Sequence, residues 1–336
     1  MIKQNPLNIK INHRNWNDAL AFAFQLLVTA SPGDVVCITG PSRAGKSRLV
    51  KELIKLLGVQ SNEFASSFTS ISVEATNSGP NGTFSTKSFT QRLLRAVEHP
   101  STTFLSDDYS SAARFDRITE NALRDTLENA IKRRQVKYIF IDEAQHVKYV
   151  TKGAQGGHAV MDSWKCLAES TAVVLIIVGA YPVLNIMKES PHLLGRKRTV
   201  HLPRYDHSEQ DALEFLKIVQ VYLKASRVEY DFDIKCEYSF LYEGSFGCIG
   251  LLQLWFSSAI AYALSTKSSL SHDILMRVKL TDSDLETIWQ EIDTGEQMLE
   301  SLGEEVFINS KVSKDKSKKR PPFQRSAKRF DQGNRT

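Results

Sequence analysis

Between residues 16 and 28 the apolar side chains fall at helical spacing. Trp16, Ala19, Leu20, Ala23, Phe24, Leu27 and Val28 share one face, which predicts an amphipathic helix ending before Ser31-Pro32-Gly33. The period then changes. Val35 to Thr39 is an unbroken apolar run, the pattern of a strand buried on both faces, and Lys46 to Leu57, closed by Gly58, is helical again. A strand over 68–75, a turn-rich loop over 76–85 and a helix over about 86–98 follow. A helix from about 112 to 134 carries Phe115, Ile118, Ala122, Leu123, Leu127, Ala130 and Ile131 on one side, and leads directly into an apolar strand within 136–142. A glycine-rich loop at 152–157, a helix to about Glu169, a strand at 172–178 and a short strand at 199–202 complete the alternation. Such alternation predicts an α/β fold with a parallel five-stranded sheet covered on both faces.

From Ser208 the strand pattern stops, and helices are expected at about 208–225, 233–242, 248–265 and 281–293. Beyond Ile308 the chain is Lys, Ser, Arg and Pro with few apolar residues, a composition that stays disordered unless bound. The expected divisions are an N-terminal helical segment (1–33), an α/β core (34–206), a small helical lid domain (207–308) and a basic tail (309–336).

Charge changes the picture only at the end of the chain. The net charge of the 336 residues is +5, but residues 311–336 hold ten Lys or Arg against two Asp, so the tail is +8 and the rest is −3. A near-neutral body implies that any nucleic-acid contact there is local. Cys37, Cys166, Cys236 and Cys248 have neither metal-site spacing nor a secretory context, so reduced thiols in a cytoplasm are expected. The N-terminus lacks a signal-peptide core, and no run approaches the ~20 apolar residues of a membrane span.

The chemistry lies at the strand ends. Gly40, Pro41, Ser42, Arg43, Ala44, Gly45, Lys46, Ser47 and Arg48, after a buried strand and opening a helix, form a P-loop. Gly40 and Gly45 let backbone N–H groups turn toward phosphate oxygens, and the helix adds its positive end. Lys46 is expected to reach the β- and γ-phosphates of ATP, and Ser47 to ligate magnesium. A second strand ends in Ile141-Asp142-Glu143-Ala144-Gln145-His146, a Walker B pattern. Asp142 is expected in the magnesium shell, and Glu143 to orient and polarise the attacking water. Either of Gln145 and His146 can sense the γ-phosphate or simply line a polar rim. No Asn-Lys-x-Asp motif is present to read guanine.

A P-loop core with Walker B on its third strand, followed by a helical domain, resembles the AAA+ ATPases. Four stretches make the resemblance finer: the Gly-Pro-Ser-x-x-Gly-Lys-Ser loop, Phe84-Ser85-Thr86-Lys87-Ser88-Phe89 before Gln91-Arg-Leu-Leu, Ile141 to His146, and Gly247-x-Ile-Gly250-Leu-Leu. Together with the proline-containing basic tail from Lys319 to Gly333, they are similar to the TnsC and TniB ATPases of Tn-type DNA transposons.

The resemblance implies an ATPase that assembles as a ring or helical filament on duplex DNA, mainly through phosphates. It would receive a target-selection protein of the TniQ or TnsD kind and recruit transposase through the tail. It also implies an arginine acting across the subunit boundary, with Arg196 the first choice and Arg198 the second. Lys87, Arg92, Lys148 and Lys152 are candidate DNA contacts. Two departures from the family pattern stand out. Val178-Gly179-Ala180-Tyr181 holds no polar sensor after the fourth strand, and no arginine heads the Gly247 helix. Both suit slow hydrolysis in a switch.

Overall fold

In the computed structural model the described residues are 11–60, 69–79, 82–100, 117–150, 156–188 and 197–301. They lie within one compact unit. The chain runs through α1 (Arg14–Val28), β1 (Val35–Thr39), α2 (Lys46–Gln60), β2 (Ser70–Glu74), α3 (Thr86–Ala96), α4 (Glu120–Arg134) and β3 (Tyr138–Asp142). A 3-10 turn (Ala144–Tyr149), α5 (Gly156–Thr171), β4 (Val174–Gly179), α6 (Pro182–Lys188) and β5 (Lys197–His201) follow. The remainder of the described chain is helical: α7 (Glu209–Ser226), α8 (Tyr238–Glu243), α9 (Ile249–Thr266), α10 (His272–Arg277) and α11 (Asp282–Ser301).

The five strands form one parallel sheet in the order β2-β3-β4-β1-β5. Alternate side chains on each strand serve opposite faces. Val36, Ile38, Phe140, Ile176 and Val200 pack with Trp16, Ala23 and Leu27 of α1 and Leu49 and Leu53 of α2. Cys37, Ile71, Ile139, Ile141 and Ile177 face the other way, toward α3, α4, α5 and α6. On that side Phe84, Phe89 and Trp164 form an aromatic group with centroids 4.8 to 6.2 Å apart, tying the segment before α3 to α5. Each such pair adds about 0.5–1.5 kcal/mol to its area burial.

A second core belongs to the helices. Phe215, Val219, Tyr222 and Leu223 of α7 meet Leu252, Trp255, Phe256 and Ile260 of α9, and the Trp255 indole donates to Leu275 O at 2.8 Å. Helix α9 is long and apolar enough to cross a membrane by length and composition, with mean hydropathy 1.3. Its apolar face is instead the centre of this core.

Several details differ from the sequence pattern. Gly58 does not close α2, which continues to Gln60, since a glycine on an exposed helix turn costs only about 1 kcal/mol. Helices α6 and α10 were not anticipated, since each is too short for a helical period to emerge. Helix α11 runs on to Ser301 and leaves the helical core: Ile292 packs with Cys248 and Leu251, and Leu299 joins the sheet's core. Phe115, Lys152, Arg196 and the basic tail, for which the sequence sets expectations, lie outside the described residues.

Candidate nucleotide site

Strands β1 and β3 flank β4, so the P-loop and the Asp142-Glu143 pair rise on either side of the end of β4 at Gly179. Gly45 has φ +97°, a backbone that strains any side chain, and it turns the loop into the first residue of α2. Lys46 is 8% exposed, and its Nζ donates to Gly40 O at 3.0 Å and Pro41 O at 2.8 Å. Burial lowers its pKa from the ordinary lysine range, against the pull of Glu143, Glu291 and Asp142. Ser47 is exposed on the first turn of α2.

Asp142 is buried, and its Oδ1 accepts from Glu143 N at 2.9 Å. Glu143 adopts a left-handed backbone, φ 55°, that turns the chain from β3 into the 3-10 segment. Its Oε2 accepts from Gln145 Nε2 at 2.5 Å and lies 4.0 Å from His146 Nε2. Gln145 Oε1 in turn accepts from Ala180 N at 3.2 Å.

The remaining predicted residues separate. Ser42 Oγ donates to both carboxylate oxygens of Glu291, at 2.8 and 2.9 Å, a contact across 249 residues of sequence. Arg43 is exposed, and its carbonyl would lie 1.8 Å from a Cβ at Gly250, so the first turn of α9 rests directly on the P-loop. Arg48 holds the segment before α1, donating to Ile11 O at 3.2 Å and Asn12 Oδ1 at 2.8 Å, and covers Trp16 at 4.7 Å from its centroid. Arg198 stands near the start of β5, 3.7 Å from Asp34. Arg92 spends its guanidinium on Glu74 O, Thr76 and Thr76 O, so it braces the end of β2.

Other groups that sequence reasoning missed close the site. Tyr181 hydroxyl and His201 Nε2 are 2.9 Å apart, and burial, then Lys46 and Arg204, depress His201 to about 4, leaving a neutral ring. Arg204 grips Glu296 of α11 with two bonds, at 2.8 and 3.0 Å. Burial opposes its charge, but the Glu296 hydrogen bond raises its pKa overall.

The chemistry of these donors fits a polyphosphate and a hard cation. Lys46 is a buried ammonium whose hydrogen bonds among the described residues go to carbonyls, and Thr39 Oγ1 and His201 Nδ1, at register-paired strand ends, are buried without a hydrogen-bond partner among those residues. Ser47 and Asp142 are oxygen donors suited to magnesium.

Residues 30–187 match the family profile described as AAA domain. The fold is similar to the ORC2 protein of Aeropyrum pernix in ADPNP and ADP complexes, at TM-score 0.56 and 12% identity, covering 90% of each chain. It is also similar to a Walker-type ATPase of Pyrococcus abyssi, at TM-score 0.51 and 17% identity over 89% of this chain and 79% of that one. The ORC1 protein of A. pernix in complex with DNA aligns at TM-score 0.56 and 12% identity, over 85% and 68%. No curated protein sequence matches this chain. The chain therefore has the AAA+ P-loop ATPase fold, with the match to the AAA domain profile running over residues 30–187.

Proposed function

We propose that this chain is an ATP-dependent regulator of DNA transposition. It assembles as a homo-oligomer on duplex DNA, couples a target-selection protein of the TniQ or TnsD kind to the transposase, and uses ATP hydrolysis as the assembly switch. The observation that carries the nucleotide half is the convergence of Lys46, Ser47, Asp142 and Glu143 around the end of β4.

In this reading Lys46 leaves its two carbonyls for the phosphates, and Ser47 and Asp142 hold magnesium. Magnesium, when bound, neutralises charge on the phosphate oxygens. Glu143 orients the water that attacks the γ-phosphate. An arginine of the neighbouring subunit, Arg196 first and Arg198 second, completes the site.

For DNA, the supporting observation is that two candidate segments distant in sequence are joined. Phe84 N donates to Tyr149 O at 3.1 Å, and Phe84 bridges Val150, which brings the start of α3 with Lys87 beside the turn carrying exposed Lys148. A lysine surface of this kind reads phosphate more than base sequence. The domain divisions at residues 33, 206 and 308, the tail as transposase contact and a cytoplasmic setting belong to the same proposal.

The test is electron microscopy of the protein with magnesium and ATP, with and without duplex DNA, beside an ATPase assay. Rings or filaments threaded by DNA and dependent on ATP support the switch. Identical assemblies without DNA favour a signalling ATPase that binds only protein. Deleting residues 311–336 should spare DNA-dependent ATPase activity and abolish transposase recruitment; loss of the ATPase instead would make the tail a DNA arm.

A further inference from the structure

Gln145 spans the ends of two strands. Its amide has one orientation that satisfies both neighbours: Oε1 must face the Ala180 N–H, at 3.2 Å, so Nε2 faces the Glu143 carboxylate, at 2.5 Å. The approach depends on Gly179, where a Cβ would stand 2.6 Å from Gln145 Oε1 and 3.3 Å from Val183 Cβ. Ala180 and Tyr181 occupy the stretch after β4 that holds no polar side chain suited to sensing phosphate: Ala180 is apolar, and the Tyr181 hydroxyl is committed to His201. The Glu143 side chain is 42% exposed, so its rotamer is not set by packing alone.

We infer that Gln145 is a positioning residue for ATP hydrolysis. It holds Oε2 of Glu143, leaves Oε1 to accept a hydrogen bond from the attacking water, and ties that arrangement to the end of β4. An amide two residues beyond the glutamate thereby supplies the link between β3 and β4 that a polar residue after β4 would supply. The inference rests on the reading of Glu143 as the residue that orients water.

The experiment measures steady-state ATPase activity and, separately, nucleotide affinity for the full chain. Gln145→Met preserves length and removes both hydrogen bonds. Its kcat should fall about 10–100-fold, the range expected when a catalytic group loses its orientation, while ATP affinity stays within about threefold. Gln145→Glu keeps length and the acceptor for Ala180 but sets a second carboxylate against Glu143, and should fall as far. Gly179→Ala displaces the amide without altering a polar group and should also lower kcat, and the Gln145→Met/Gly179→Ala double variant should be no slower than the slower single variant.

A Gln145→Met kcat within twofold of the parent overturns the inference. So does a loss of affinity in step with kcat, or additive losses in the double variant. Should Gln145→Met fail to fold, Gly179→Ala decides on the same kcat and affinity criteria. Glu143→Gln in the same assay separates the two readings. If it turns over at the parental rate, the role of Glu143 fails and this inference with it; if it stalls while Gln145→Met does not, only Gln145 is misassigned.

Discussion

Lys46 is a charge held in readiness at a cost. Its ammonium is buried against two carbonyls, with desolvation lowering its pKa, so the nucleotide-free protein carries an ionic group that water would solvate better. Lys46→Met should leave stability without nucleotide within about 1 kcal/mol of the parent or above it. ATP should then no longer raise the thermal midpoint, which differential scanning with and without magnesium and ATP would read.

Two buried histidines weaken the fold in acid. His201 and His13 both sit at about 4 in the folded protein, against 6.5 ordinarily, mainly through burial. Between those values the unfolded chain takes up protons that the folded protein refuses, so stability rises with pH from about 4 to 6.5 and falls on acidification. The loss is at most about 3 kcal/mol per histidine. Urea midpoints at pH 7 and pH 5 should show the drop, and His201→Gln should reduce it by about half.

At the scale of elements, α11 carries the least expected contact. It runs from the helical core to the sheet, anchored by Ile292, Leu299 and the Glu296–Arg204 pair, and by Gly295, where a Cβ would come within 2.0 Å of the Tyr181 ring. These anchors set Glu291 on the P-loop hydroxyl of Ser42, where its negative charge opposes an arriving phosphate. Glu291→Gln keeps the shape and the hydrogen bond to Ser42 while removing that charge. ATP affinity should rise about three- to tenfold, an effect that weakens with added salt, as a titration at two ionic strengths would show.

At the scale of the molecule, the P-loop lies where the sheet core and the helical core meet. Gly250 of α9 abuts Arg43 O so closely that no side chain fits between them. Gly250→Ala should therefore weaken ATP binding by about tenfold or more without altering a group that contacts phosphate, because the loop and α9 must separate to admit a methyl group. Isothermal titration of nucleotide into that variant checks this. A parental affinity would mean that the loop shifts at no cost.

The alternation of strand and helix, the five-stranded sheet and the P-loop were legible in the residues themselves. Each is written locally: in a buried run such as Val35 to Thr39, in the helical spacing of α1, or in the glycine and lysine offsets from Gly40 to Lys46. Gly58 misled because an exposed helix tolerates glycine for about 1 kcal/mol. The partners of the site were not legible. Ser42 and Glu291 are 249 residues apart, Gln145 and Ala180 are 35 apart, and Gly250 matters only because Arg43 lies against it. Periodicity records which face of an element is buried but not what buries it, so the chain alone determined the longer elements and the phosphate loop, but not the short helices α6 and α10. Only the packing of α9, α11 and the end of β4 around that loop decided which polar groups meet there.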